Sequence, residues 1–172
     1  MAKARKTSTA KQSGSSAKAI GIPEPNRKSV AEELNKLLAD EMLVYVKTRK
    51  FHWNIVGPQF HDLHLLLEKQ YDQLAMVIDE IAERIRQIGF FPDGSMQQFL
   101  TQTHLKEHEG AGGIKIGQLQ ELIDDHTAII RQLRTLIDEF DTKYDDAGSA
   151  DFVTGLIESH EKITWMLQST LS

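Results

Sequence analysis

The chain has no cysteine in 172 residues. That excludes a disulfide framework, a thiolate-held zinc or iron–sulfur centre and a thiol nucleophile, and it fits a reducing compartment. Long apolar runs are missing too. Nothing approaches the roughly 18 residues needed to cross a bilayer, so no membrane role is expected. The first residues, Met1 to Ser16, are rich in Lys, Ser and Ala and lack the apolar stretch of a signal peptide. A cytoplasmic location is expected. No period-two alternation persists anywhere, which argues against sheet structure. The chemistry left to the chain is that of seven histidines and many carboxylates, donors suited to iron, manganese or zinc.

A net charge of −5 hides an asymmetry. Residues 1–28 carry Lys3, Arg5, Lys6, Lys11, Lys18, Arg27 and Lys28 against Glu24 alone, a net of +6. The remaining 13 bases and 24 acids leave −11. Residues 1–28 are expected to form a flexible basic tail, because so few apolar side chains cannot offset the entropy of ordering. Residues 29–172 are expected to form one domain with a single core.

Ser29 followed by Glu32 has the spacing of a helix capping box. From there Val30, Leu34, Leu37, Leu38, Met42, Val44 and Tyr45 recur at helical spacing, predicting a first helix to about Asn54. Gly57–Pro58 stops it, since proline disfavours helix in the residue before it. A second helix is predicted from Gln59 to about Ile88, with Leu63, Leu66, Leu67, Tyr71, Leu74, Ile78, Ile81 and Ile85 on one broad apolar side. At about 1.5 Å per residue it is some 45 Å long, a length suited to a bundle. A Gly- and Pro-containing connection follows, with a short helix predicted at Ser95–Leu100. Third and fourth helices are predicted at Ile116–Lys143 and Ser149–Leu171. The expected fold is all-α: a four-helix bundle whose long crossover joins helices two and three, the ferritin-like connectivity.

Two pairs of metal-ligating residues stand on helix two, His64/Glu68 and Asp79/Glu83, each spaced i, i+4 and so neighbours on one face. Eleven positions separate Glu68 from Asp79, about three turns, so both pairs point the same way about 16 Å apart. One metal ion with bonds of roughly 2 Å cannot be held by both pairs of one helix. Either two independent sites exist, or two copies of helix two pack antiparallel about a twofold axis and share ligands. Twofold dimers are the commonest oligomers, which favours sharing. His52, near the start of helix two, is placed to complete the site. An intrasubunit di-iron site built from Glu-x-x-His motifs is disfavoured, because no histidine here has an acid three residues before it.

The run His52-Trp53-Asn54-x-x-Gly57-x-x-Phe60-x-x-x-His64-x-x-x-Glu68, followed by Asp79-x-x-x-Glu83-Arg84, resembles the Dps family, the DNA-binding proteins from starved cells. Trp165-Met166-Leu167 is similar to that family's C-terminal helix. The resemblance implies a hollow shell of twelve subunits built on twofold dimers. It implies iron ligands His52, His64 and Glu68 from one subunit and Asp79 and Glu83 from its neighbour, with zinc as an alternative occupant. Glu68 falls where members carry Asp or Glu, and its longer arm bears on occupancy of a second iron position. Trp53 is expected to intercept stray oxidising equivalents, or else to serve as a core aromatic. The implied activity is oxidation of Fe(II) by hydrogen peroxide and mineralisation of Fe(III), which protects DNA. Asp138, Asp141, Asp145, Asp146 and Asp151 are candidate pore acids, concentrating cations by local potential. Lys3, Arg5, Lys6, Lys11 and Lys18 are candidate DNA contacts, acting on phosphates without sequence preference and placing the shell at the nucleoid. A mainly DNA-compacting role with weak iron oxidation is the alternative. His104, Glu107, His108 and Glu109 form either an extra metal site or a solvated loop.

Overall fold

The computed structural model describes residues 20–172, and among them five α-helices and no strand. The tail bases Lys3 to Lys18 lie outside the described residues. Helix α1 spans Glu24–Asn54, α2 Phe60–Gln87, α3 Met96–Gln102, α4 Leu119–Asp138 and α5 Ala147–Leu171. A 3-10 turn, Ile116–Gln118, leads into α4, and a π turn, Glu139–Lys143, leaves it.

Helix α1 begins at Glu24, five residues before the capping box expected at Ser29. Pro25 sits in the first turn, where its missing N–H costs nothing and its fixed φ suits a helix. The Ser29 hydroxyl donates back to Pro25 O (3.2 Å) and caps nothing. Arg27 is not a tail residue. It is 6 % exposed and donates to Ile22 O (3.1 Å) and Ile88 O (2.7 Å), tying the start of α1 to the end of α2.

That tie fixes the topology. Helix α2 ends beside the start of α1, whereas the crossover delivers the chain to the opposite end. There Ile114 N donates to Asn54 O (2.7 Å) and Val56 N to Ile114 O (2.9 Å). The approach is close: a Cβ on Gly113 would lie 2.9 Å from Val56 Cγ2. The crossover therefore travels the length of the bundle, and α4 runs back so that Asn26 Nδ2 donates to Tyr144 O (3.0 Å). On the way α3 is capped reciprocally by Ser95 and Gln98, and buried Asp40 on α1 accepts from Thr103 Oγ1 (2.6 Å) and His104 N (2.7 Å).

The core is continuous along the bundle and contains Leu34, Phe51, Leu67, Leu74, Ile81, Leu133 and Leu156, as the helical periodicity required. At about 25 cal/mol per Å², each such side chain contributes roughly 1.5–3 kcal/mol. No described helix is long and apolar enough to cross a membrane.

Candidate metal centre

His52 stands in the last turn of α1 and His64 in the second turn of α2, on either side of the turn at Gly57, whose φ of +127° suits a residue without Cβ. The two imidazoles stack, with centroids 3.7 Å apart and planes at 24°. His52 Nδ1 lies 2.9 Å from His64 O, and His64 Nδ1 lies 2.9 Å from His52 O. A carbonyl only accepts, so both Nδ1 atoms carry hydrogen, which in a neutral ring leaves the unshared pair on Nε2. This is how metal-ligating histidines are oriented. Glu68 follows one turn after His64 and is half-buried; its Oε1 accepts a long bond from the Tyr71 hydroxyl, 3.5 Å.

An aromatic cluster borders these candidate ligands. Tyr71 meets the His52 ring edge-on at 5.1 Å and Tyr45 at 6.4 Å. The Arg49 guanidinium lies over Tyr71 (4.5 Å), Trp53 (5.4 Å) and Tyr45 (5.6 Å), and donates to the Tyr45 hydroxyl at 2.7 Å. Burial, reinforced by the Glu68 and Asp72 carboxylates, raises the Tyr71 phenol above its usual pKa, so it stays protonated at neutral pH. Trp53 is 63 % exposed, so it is no core aromatic of this chain.

Asp79 and Glu83 are exposed further along α2. Among the described residues no three His, Asp or Glu side chains form a group that could hold a metal ion. The chain thus brings His52, His64 and Glu68 to one end of α2 and leaves Asp79 and Glu83 about 16 Å further on. Exposed Leu65 and Met76 share that outward stripe of α2.

The candidate pore acids divide. Asp138, Asp141, Asp145 and Asp151 are exposed, but Asp146 is 1 % exposed and committed elsewhere. It caps α5 by accepting from Ser149 N (2.9 Å) and Ser149 Oγ (2.6 Å), and it pairs with Arg84 Nη2 at 3.0 Å. The crossover histidines are also engaged. His104 Nδ1 lies 3.1 Å from Asp40 Oδ2, and His108 Nδ1 lies 2.9 Å from Glu121 Oε2. They pin the crossover instead of gathering Glu107 and Glu109, which stay exposed.

One buried cluster is absent from the sequence reading. Glu41 on α1, His126 on α4 and His160 on α5 are wholly buried inside the bundle. His126 Nδ1 and His160 Nδ1 share a hydrogen bond of 2.8 Å. Glu41 Oε1 lies 2.8 Å from His160 Nε2, close enough for an ion pair but off the N–H direction, so neither atom counts as hydrogen-bonded. The three form a row and do not converge. Burial first, then His160 and Lys47, pushes the His126 pKa well down. The signal was available: both histidines fall on the apolar faces of their helices, between Ile123 and Ile129 and between Ile157 and Ile163.

Comparison with known proteins agrees with this architecture. The ferritin-like domain family matches residues 31–172. A low-temperature-induced protein of Nostoc sp. (strain PCC 7120) is 47 % identical over 150 residues, covering 87 % of this chain and 84 % of its own. DNA protection during starvation protein 2 of Bacillus anthracis is 34 % identical, covering 84 % and 98 %. The structure of the Dps protein of Vibrio cholerae O1, described as a member of a broad superfamily of ferritin-like diiron-carboxylate proteins, superposes with a TM-score of 0.82 at 32 % identity, covering 90 % and 96 %. With the bundle, its crossover and the relatives in agreement, the chain belongs to the Dps family of ferritin-like proteins.

Proposed function

We propose that this protein oxidises Fe(II), with hydrogen peroxide as the preferred oxidant, at sites shared between two subunits, and stores Fe(III) inside a twelve-subunit shell. The observation that carries the reading is the reciprocal bonding of His52 and His64. It leaves two imidazole Nε2 atoms unshared at the end of α2 that carries Glu68, with no group of three His, Asp or Glu side chains among the described residues that would hold a metal within one chain. A second copy of α2, packed antiparallel, supplies Asp79 and Glu83. Such packing also covers the exposed Leu65 and Met76.

Iron is the substrate. Neutral imidazoles and carboxylates suit Fe(II), and the anionic oxygens favour the more highly charged product. Two Fe(II) ions supply the two electrons that reduce one peroxide to water without releasing hydroxyl radical. Zinc fits the same donors and would compete. Asp138, Asp141, Asp145 and Asp151 are offered as the acids that draw cations toward the shell.

Subunit mixing tests the sharing. His64→Ala and Glu83→Ala subunits, each inactive alone, are unfolded together and reassembled. Random pairing makes about half of the twofold dimers mixed, each with one intact site of two, so about a quarter of wild-type oxidation returns. An intrasubunit site would return none, and wild-type oxidation in the double variant would remove these ligands altogether.

A further inference from the structure

Resting on the half-site proposed above, we infer that His108, on the crossover, is a positioning residue for it. His108 holds the last turn of α1, and with that turn His52, in place on the bundle. His52 and His64 fix each other's rings, but not the seat of the turn that carries His52. A helix end leaves its last carbonyls without partners from the helix itself, so groups outside must hold it. Here His64 takes the His52 carbonyl, and the crossover takes the Asn54 carbonyl through Ile114 N at 2.7 Å.

His108 supplies the side-chain part of that grip. Its backbone oxygen accepts from Lys50 Nζ, and its ring meets the wholly buried Phe51 ring edge-on with centroids 5.2 Å apart. Lys50 and Phe51 immediately precede His52, so both contacts bear on the turn that carries it. The ring is itself anchored to a different helix, since Nδ1 donates to Glu121 Oε2 on α4 at 2.9 Å. It has no room to swing: the side chain is 9 % exposed, and a Cβ on Gly110 would lie 2.6 Å from its Nε2. One rigid imidazole thus gives an aromatic contact to α1 and a polar one to α4.

His104 provides the comparison. It pins the same crossover, with Nδ1 3.1 Å from Asp40 Oδ2. Asp40, however, lies 12 residues before His52, about 18 Å away along α1. Loss of either histidine costs the crossover one anchor, and only loss of His108 frees the turn of His52. Preorganised groups bind more tightly because less ordering remains to be done. The effect of His108 therefore falls on metal affinity and on KM for Fe(II), and not on kcat once the site is filled.

Zn(II) calorimetry and peroxide-driven Fe(II) oxidation on the full-length assembled protein test this. His108→Ala is expected to weaken Zn(II) binding about tenfold and to raise the Fe(II) KM by a similar factor, the low end for partners that orient metal ligands. Its kcat should stay within about twofold of wild type, and His104→Ala should match wild type in affinity and KM. Wild-type affinity in His108→Ala overturns the inference, as does a loss confined to kcat. An equal loss in His104→Ala also overturns it, by showing a general weakening of the crossover. If His64→Ala binds Zn(II) like wild type, the shared-site reading falls and this inference with it. Should His108→Ala not assemble, Gly110→Ala decides, because its Cβ displaces the ring: weakened Zn(II) binding supports the inference and unchanged binding overturns it.

Discussion

His52 and His64 hold each other's ring orientation: each Nδ1–H is donated to the other's backbone carbonyl at 2.9 Å, across the turn that joins α1 to α2. Neither ring is free to turn without breaking a bond to the opposite helix. The proposed half-site would thus be organised ahead of any metal, which would reduce the ordering cost of binding.

Removing either ring is therefore expected to cost more than one ligand. In His52→Ala the His64 Nδ1–H keeps its carbonyl but loses its stacked neighbour; in His64→Ala the reverse holds. Affinity for Zn(II) or Fe(II), measured by calorimetry on the assembled protein, should fall by roughly 10- to 100-fold or more in each. Unchanged affinity would remove both residues from the site.

Asp146 is expected to matter for stability and not for cation entry. Its loss would remove the α5 cap and leave the Arg84 guanidinium without its carboxylate, facing only Ser149 and Gln87. Asp146→Ala should destabilise the fold by about 2–4 kcal/mol, with Asp146→Asn costing less because an acceptor remains. Denaturant unfolding reads the difference. An iron-uptake defect without loss of stability would restore Asp146 to the pore.

Stability should fall in mild acid. His126 has its pKa pushed below the usual 6.5 by burial, so the unfolded chain takes up its proton first. Its contribution is fully present above about pH 6.5 and is lost as pH falls toward the lowered folded value, at up to about 1.4 kcal/mol per pH unit. Asp125, which pairs with Lys47 at 2.6 Å, has its pKa raised by burial. Its contribution has the opposite sense, present below its usual 3.8 and lost as pH rises through the folded value. Unfolding curves across mildly acidic and neutral pH should be steeper for wild type than for His126→Gln. Identical slopes would show that His126 does not titrate on unfolding.

The start of α1 decides where the chain can be cut to test DNA binding. Removing residues 1–28 would cut away the first turn of α1 and buried Arg27. Removing residues 1–21 takes Lys3, Arg5, Lys6, Lys11 and Lys18, five bases and no acid, and leaves the helix whole. Gel shifts at low and physiological salt should show that retardation of DNA by the full chain is lost in the shortened one, with most of its salt dependence. Equal retardation by both would place DNA binding elsewhere.

The helices were legible because their apolar positions repeat at a helical period and burial needs only a stripe. The crossover was legible from its glycines and its length. Start points were less so: Ser29–Glu32 has the pattern of a cap, yet Pro25 and the Arg27–Ile88 bond carry α1 further back. Spacing along α2 was enough to show that His64/Glu68 and Asp79/Glu83 cannot serve one metal within one helix, since helix rise is a fixed quantity. Three things needed the tertiary structure. His52 and His64 lock each other, Asp146 turns inward to pair with Arg84, and Glu41, His126 and His160 meet inside the bundle. Each depends on contacts between residues far apart in the chain or separated by a turn. Periodicity assigns a residue to a face, and only the packed helices decide which side chains meet across it.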